Sequence, residues 1–218
     1  MPKITSVEPQ KKNPKRFNIF LDEEFAFGAD EDLVVEWRLI PGKLLDTSDV
    51  EKLLFESEVG KLMERMYRLF NLRLRSEREV RNYLKNLSYK RNIKDQEQIS
   101  EAAIELLINK LKQKQLLNDE QFAKAWVEAR SKKKGPRVLK QELFQKGIDR
   151  EIIEEVMSNE SLVDSGIQTA EKLLEKKLRV WKSLPTIEFK KKTYEFLMRR
   201  GFSYEVVKDI IENILRKR

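Results

Sequence analysis

Asn118–Met157 reads NDEQFAKAWVEARSKKKGPRVLKQELFQKGIDREIIEEVM, and three helix signals inside it decide the fold. Asn118 is a strong capping residue, Asp119 and Glu120 follow it at the positive end of a helix dipole, and Leu117 is spaced to staple onto Phe122. Phe122, Ala125, Trp126 and Ala129 then recur on one predicted helix face. Gly135-Pro136 opens a second helix, because proline is tolerated in a first turn. Gly147 ends it, where a left-handed backbone is needed, and Asp149 begins a third helix. The pattern then returns: Lys146-Gly147-Ile148, Glu151-Ile152-Ile153 and Val156-Met157 are echoed 54 positions later by Arg200-Gly201-Phe202, Glu205-Val206-Val207 and Ile210-Ile211.

Working outward, the later copy predicts helices over Leu162–Trp181 (Val163, Ile167, Ala170, Leu174 and Trp181 inward), Thr186–Arg200, and Ser203 to the end. A more divergent earlier copy predicts helices near 57–71, 76–87 and 95–114. Val59, Leu62, Met63, Met66, Leu69 and Phe70 recur at helical spacing in its first helix. Ser48-Asp49-Val50-Glu51 and Ser76-Glu77-Arg78-Glu79 both have capping-box spacing and read as helix starts. Upstream, Ile4–Val7, Phe17–Leu21 and Phe25–Gly28, turned at Asp22-Glu23-Glu24, read as a three-stranded meander. So small a sheet must lean on a helix around Asp32–Trp37, with Pro41-Gly42 closing the piece. The expected fold is mainly α, with three tandem three-helix repeats in an elongated curved array behind a small β-meander. Its expected divisions are 1–47, 48–116, 117–159 and 160–218, with an apolar seam shared between repeats.

Composition narrows the function. In 218 residues, 38% are charged and only 7 are glycine, which suits long solvated helices better than a compact α/β enzyme. The net charge is +8, divided as −3 over residues 1–50 and +11 beyond, so the helical part points to a polyanionic partner. The absence of histidine and cysteine removes imidazole bases, thiol nucleophiles, disulfides and Cys/His zinc sites. Gly135-Pro136 lacks phosphate-loop spacing, and Asp30, Glu31 and Asp32 read better as a helix start than as a magnesium site. No apolar run reaches spanning length, which predicts a cytoplasmic protein without membrane attachment; no cofactor is expected, while an enzyme using only carboxylates, lysine or tyrosine stays formally open.

Basic helix faces remain. Arg78, Arg81, Asn82 and Lys85 share one side of the helix from Ser76, opposite Val80, Tyr83, Leu84 and Leu87. This strip reads equally as a phosphate or acidic-protein contact and as a solvated face. In the middle repeat, Arg137, Lys140, Gln141 and Phe144 gather beside Lys132-Lys133-Lys134. An aromatic ring among cations would serve single-strand stacking, but Phe144 reads first as core, packed on the third helix or the adjoining repeat. The last repeat offers Lys190-Lys191-Lys192 and Arg199-Arg200, and the tail ends Arg216-Lys217-Arg218. Trp37, Trp126 and Trp181 fall on apolar faces and read as core.

Several stretches together resemble the RecX family of regulators of the RecA recombinase. They are Arg75-Ser76-Glu77-Arg78-Glu79-Val80-Arg81 with Leu84, then Leu117–Ala123 with Arg130 and Gly135, then Leu143 and Lys146-Gly147-Ile148. Ile4–Gly28 is similar to an N-terminal extension in one branch of that family. The resemblance implies a protein that is not an enzyme and acts by binding in the groove of RecA–DNA filaments; contact with single- or double-stranded DNA through its basic faces and a monomeric state are expected with it. It also implies inhibition of filament extension, strand exchange, ATP hydrolysis and co-protease stimulation, in DNA repair, recombination and SOS control. The expected contact set is Arg75, Arg78, Arg81, Lys85, Arg130, Lys132, Lys133, Lys134, Arg137, Lys140, Lys190, Lys191, Lys192, Arg199 and Arg200. The sequence departs from the family at Ser88, where a helix-ending glycine is expected, and over Lys90–Gln98, which reads as extra sequence. The competing readings are a helical-repeat protein that binds DNA or RNA without RecA, and a carboxylate-dependent nuclease.

Overall fold

The computed structural model describes residues 1–158, 160–181 and 183–216, with the side chains of residues 160–166 excepted. Two compact units emerge: Met1–Leu74 with Tyr83–Leu117, and Arg75–Asn82 with Asn118–Arg218.

Unit one begins with the expected meander, β1 (Ile4–Gln10), β2 (Asn13–Leu21) and β3 (Glu24–Asp30), antiparallel in that order. Asp22 and Glu23 both take positive φ, as a tight two-residue hairpin turn requires. Neither is glycine, and bonds from the Lys3 amide to the Asp22 carboxylate and from the Glu23 amide to Thr5 Oγ1 offset the strain. Ile4, Ile19, Phe27 and Ala29 form the inner sheet face, covered by Leu33 of α1 (Glu31–Glu36), Leu39, Leu45 and Leu53. Asp30 caps α1 by accepting the Leu33 amide, so the acidic run is a helix start as read. Arg16 is the buried cation of this unit: it donates to the Gly28 carbonyl and the Glu64 carboxylate, tying the sheet to α2 (Thr47–Phe70).

Three readings of this unit need correction. α2 is one helix of 24 residues rather than a start at Ser48 and a separate helix near 57–71, and its cap is Asp46, which accepts the Asp49 amide. α3 (Glu77–Asn92) runs past residue 87, and α4 (Glu101–Gln113) starts at its Ser100 cap rather than near 95. Ser88 explains the change. With a side chain in place of glycine the chain stays helical there, and the Ser88 hydroxyl accepts the Ile99 amide at 3.1 Å, holding the return segment. Leu53, Leu62, Met66, Leu84, Leu107 and Leu111 are fully buried in this unit. Sequestering each such side chain contributes roughly 1.5–3 kcal/mol.

Unit two takes the first residues of α3 and two three-helix repeats: α5 (Asp119–Ser131), α6 (Pro136–Gln145) and α7 (Arg150–Met157), then α8 (Glu160–Trp181), α9 (Thr186–Met198) and α10 (Tyr204–Arg216). Asn118 caps α5 through the Gln121 amide, proline sits in the first turn of α6, and Gly147 and Gly201 end α6 and α9 with φ of +80° and +92°. The first core gathers Phe122, Ala123, Val127, Leu139, Leu143, Ile148, Ile153, Val156 and Met157; the second gathers Ala170, Leu174, Phe189, Leu197, Phe202, Val207, Ile210 and Ile211. The buried stripe of α5 is rotated from the expected one, since Ala129 is exposed and Ala123 and Val127 face inward. Ile167 is likewise exposed, and the side chain of Val163 and residues Lys217 and Arg218 lie outside the described residues.

The repeats meet end to end through their second helices. The first turn of α6 donates two amides to the end of α9: Gly135 N–H to the Arg200 carbonyl at 2.8 Å and Arg137 N–H to the Gly201 carbonyl at 3.1 Å. The first turn of α3 meets the end of α6 similarly, with the Ser76 hydroxyl donating to the Lys146 carbonyl at 2.7 Å. Each joint sets a helix N-terminus, with its unsatisfied amides, against a helix C-terminus, with its unsatisfied carbonyls, so the dipoles align head to tail.

Candidate basic interface

On α3 the apolar side is as read, with Val80 and Leu84 fully buried, and the cations behave individually. Arg78 is exposed, and its stem passes over Gly147, where an added Cβ would lie 2.5 Å from Arg78 Cδ. Arg81 pairs with Glu77 one turn back at 2.7 Å, and Lys85 is exposed. Arg75 is half-buried, with its Nε enclosed and without a hydrogen-bond partner.

The middle repeat separates open cations from committed ones. Lys132, Lys133 and Arg137 are exposed, Lys134 is half-buried, and Lys140 pairs with Glu154 at 2.7 Å. Arg130 is committed. Its Nε and Nη2 donate to the two Glu142 oxygens at 2.6 and 2.7 Å, and its guanidinium lies 5.1 Å from the Trp126 ring centre. Trp126 Nε1 also donates to Glu142, while Lys146 approaches the same ring to 4.9 Å and pairs with Glu79 at 2.6 Å. Burial pushes the Glu142 carboxyl upward, but the bonds from Arg130 and Trp126 prevail and hold it below the usual carboxylate range. A carboxylate twelve residues along the chain thus claims Arg130, which sequence reading placed among surface contacts.

Phe144 reverses its expected placement. It is 69% exposed, because α6 turns Leu139 and Leu143 inward and leaves the next position about 100° round the helix. Its neighbours on the open side of α6 include Lys140 and Gln141, giving a ring among polar groups rather than a core residue.

In the last repeat Lys190, Lys191 and Arg199 are exposed, and Lys192 pairs with Glu188 at 2.8 Å. Arg200 lies 4.6 Å over the Phe196 ring and donates to the Lys133 carbonyl at 3.3 Å, so the second and third cationic groups touch at that joint. A recess of about 350 Å³ opens among Lys177, Trp181, Lys192, Phe196, Arg199 and Arg200. Sequence reading missed Lys177 and took Trp181 for core alone. The 54-residue echo carries no signal for either, since it sets Lys177 against Ala123 and Trp181 against Val127.

Unit one carries a larger cleft, about 520 Å³, walled by Asp30, Glu31, Asp32, Glu36, Glu56 and Glu64 with Lys15, Lys110 and Lys114 opposite. Among the described residues no group of three or more acidic side chains is placed to hold a metal ion, and no helix is long and apolar enough to cross a membrane.

Family models match three stretches of the chain: the regulatory protein RecX N-terminal domain over residues 2–46, the RecX second three-helix domain over 118–157, and the RecX third three-helix domain over 164–211. The latter two fall on α5–α7 and on α8–α10. The chain is 38% identical over 216 residues to the regulatory protein RecX of Bacillus subtilis (strain 168), spanning 98% of this chain and 78% of that one. It is 31% identical over 211 residues to the regulatory protein RecX of Listeria welshimeri serovar 6b, spanning 94% and 73%. A crystal structure of regulatory protein RecX superposes with a TM-score of 0.77 at 27% identity, covering 96% of this chain and 100% of that one. A crystal structure of RecX from Lactobacillus salivarius gives 0.60 at 27% identity, covering 71% and 95%.

Proposed function

The chain belongs to the RecX family of regulatory proteins, and from that premise we propose that it is a negative regulator of the RecA recombinase. In this reading it binds in the groove of RecA–DNA filaments and inhibits filament extension, strand exchange and the associated ATPase and co-protease activities, in DNA repair, recombination and SOS control. The observation that carries the reading is similarity to regulatory RecX proteins over nearly the whole chain, at 38% identity. The joints of unit two add a physical rationale. They hold successive second helices end to end, so exposed cations recur from repeat to repeat, and a repeating polymer rewards recurring weak contacts.

Within the expected contact set, Arg78, Lys85, Lys132, Lys133, Arg137, Lys190, Lys191 and Arg199 are the open members. Lys140 and Lys192 sit in exposed ion pairs that water screens, so a phosphate can take the place of either carboxylate. Arg130 is held by Glu142 and acts through the fold instead. The action is by binding rather than catalysis, which suits relatives named for regulation. The test is RecA-dependent strand exchange with the protein at sub-stoichiometric ratio: strong inhibition is expected, and full exchange without filament binding would overturn the reading.

A second reading, direct binding of DNA or RNA without RecA, is favoured by exposed Phe144 beside Lys140 and Gln141. Phosphate-dominated binding would weaken with a log–log salt slope of about −0.7 to −0.9 per phosphate engaged. Salt-insensitive association with RecA filaments would count against it.

A further inference from the structure

The helix α3 does not stop where its pattern would end it. Ser88 stands in place of the glycine that would turn the chain, and the left-handed residue falls instead at Asp95, with φ of +53°. The end has moved by 95 − 88 = 7 positions, about two helical turns, so the face that carries Lys85 is presented again. The added turns lie within unit one and are fastened on their inner side. The Ser88 hydroxyl accepts the Ile99 amide, Arg91 pairs with Glu58 of α2, and the Gln96 amide donates to the Arg91 carbonyl at 3.1 Å to close the end. Their outer side is apolar, with Tyr89 66% and Ile93 64% exposed. The Ile93 amide still donates to the Tyr89 carbonyl at 3.2 Å, so the two side chains lie one turn apart on one face. At about 100° per residue, Lys85 flanks this pair on one side and Lys90 on the other, and Lys94 follows. All three lysines are exposed and none is in an ion pair among the described residues, against Asp95 and Glu97 in the same stretch.

We propose that Tyr89 and Ile93 form a docking knob for a protein partner whose surface offers an apolar pocket rimmed by carboxylates. In a chain that acts on RecA filaments the partner is a subunit of the filament, so the inference rests on the reading above and names one of its contacts. Ile93 decides between classes of partner. It has neither a charge for a phosphate nor a flat face for a base, whereas an apolar centre within a polar rim is the make-up of a protein interface. Tyrosine is among the residues that anchor such interfaces, and exposed apolar area left in water is what a pocket would cover. The lysines match an acidic rim, which speeds encounter more than it tightens the complex. Ser88 and Arg91 hold the knob in place before any partner arrives, so little ordering is left for the moment of binding.

The experiment measures the full chain against RecA filaments on single-stranded DNA and, separately, against a fluorescent dT15 strand without RecA. Wild type is compared with Tyr89→Ala/Ile93→Ala and with the control Val35→Ala/Ile40→Ala, which removes similarly exposed apolar groups elsewhere in unit one. The docking variant is expected to associate with filaments at least about ten-fold more weakly, at unchanged helicity and melting temperature, with dT15 binding within about two-fold of wild type. The control should stay within about two-fold in both assays. Lys90→Gln/Lys94→Gln should slow filament association at low salt and match wild type at high salt; no slowing at low salt would overturn the acidic rim. Filament association unchanged in the docking variant, or weakened equally in the control, would overturn the surface. Loss of dT15 binding in step with filament association would reassign Tyr89 to stacking on unpaired bases and overturn the protein partner. Failure of wild type to bind filaments would overturn the regulator and this surface together, whereas equal binding by wild type and docking variant removes the surface and leaves the regulator standing.

Discussion

The two joints of unit two perform the same task with different material. Where α6 meets α9 the contact is backbone on backbone: a Cβ placed on Gly135 would fall 2.5 Å from the carbonyl carbon and oxygen of Gly201, and one on Gly201 would fall 2.5 Å from the Val138 amide nitrogen. Where α3 meets α6 the contact passes through side chains, with Ser76 on the Lys146 carbonyl, Lys146 on Glu79, and the Arg78 stem over Gly147. The bare-backbone joint therefore has little slack, while the other yields in part: the outer carbons of Arg78 can swing away and Lys146 can re-pair, but Arg78 Cβ, 2.6 Å from an atom added at Gly147, moves only with α3. Recurrence of a glycine at the same place in two repeats does not imply equal tolerance; the tolerance belongs to whatever lies opposite.

That contrast can be broken by substitution. Gly201→Ala is expected to have the largest effect, about 3 kcal/mol, because it combines left-handed strain with a clash against fixed backbone. In thermal unfolding that corresponds to a fall of roughly 6–12 °C for a chain of this size. Gly135→Ala should lose about 2 kcal/mol although its φ of −80° suits any residue, so its effect isolates the close approach. Gly147→Ala carries the strain of Gly201→Ala but meets a side chain whose outer carbons can move while its Cβ cannot, and about 2 kcal/mol is expected. If urea midpoints put Gly147→Ala and Gly201→Ala at equal cost, the distinction between rigid and yielding joints is wrong. Ser76→Ala removes a buried hydroxyl that both accepts the Glu79 amide and donates to Lys146, for about 1 kcal/mol.

The smallest effect is in pH. The folded Glu142 carboxyl lies below its ordinary value of 4.5, so its ion pair stabilises fully above that value and is lost as pH falls through the folded one. Urea midpoints compared at pH 6 and pH 3 should therefore drop more for wild type than for Glu142→Gln; equal drops would show that the Arg130 pair adds nothing to stability.

What could be read from the sequence was what neighbouring residues determine. Asn118, Pro136, Gly147 and Gly201 declare helix ends through their own conformational preferences, and all four do so here. Asp46 took the role given to Ser48 because both residues have capping chemistry and only the path of the incoming chain chooses between them. Arg130 was taken for a surface contact because its partner lies on the next helix, and Phe144 for core because apolarity alone does not say which side of α6 faces inward. The approach of Gly135 to Gly201 spans 66 positions and leaves no local trace, so the residue most constrained by tertiary packing looked like an ordinary helix start.

The bonds donated by Gly135 and Arg137 also give the molecule a built-in gauge. First-turn amides of a helix usually face water and exchange their protons for deuterons quickly, yet these two are held by carbonyls of the following repeat. Their exchange rates measure how often α9 parts from α6, separately from how often either helix frays. A ligand that stiffens or opens the seam between the last two repeats would be heard first at those two protons.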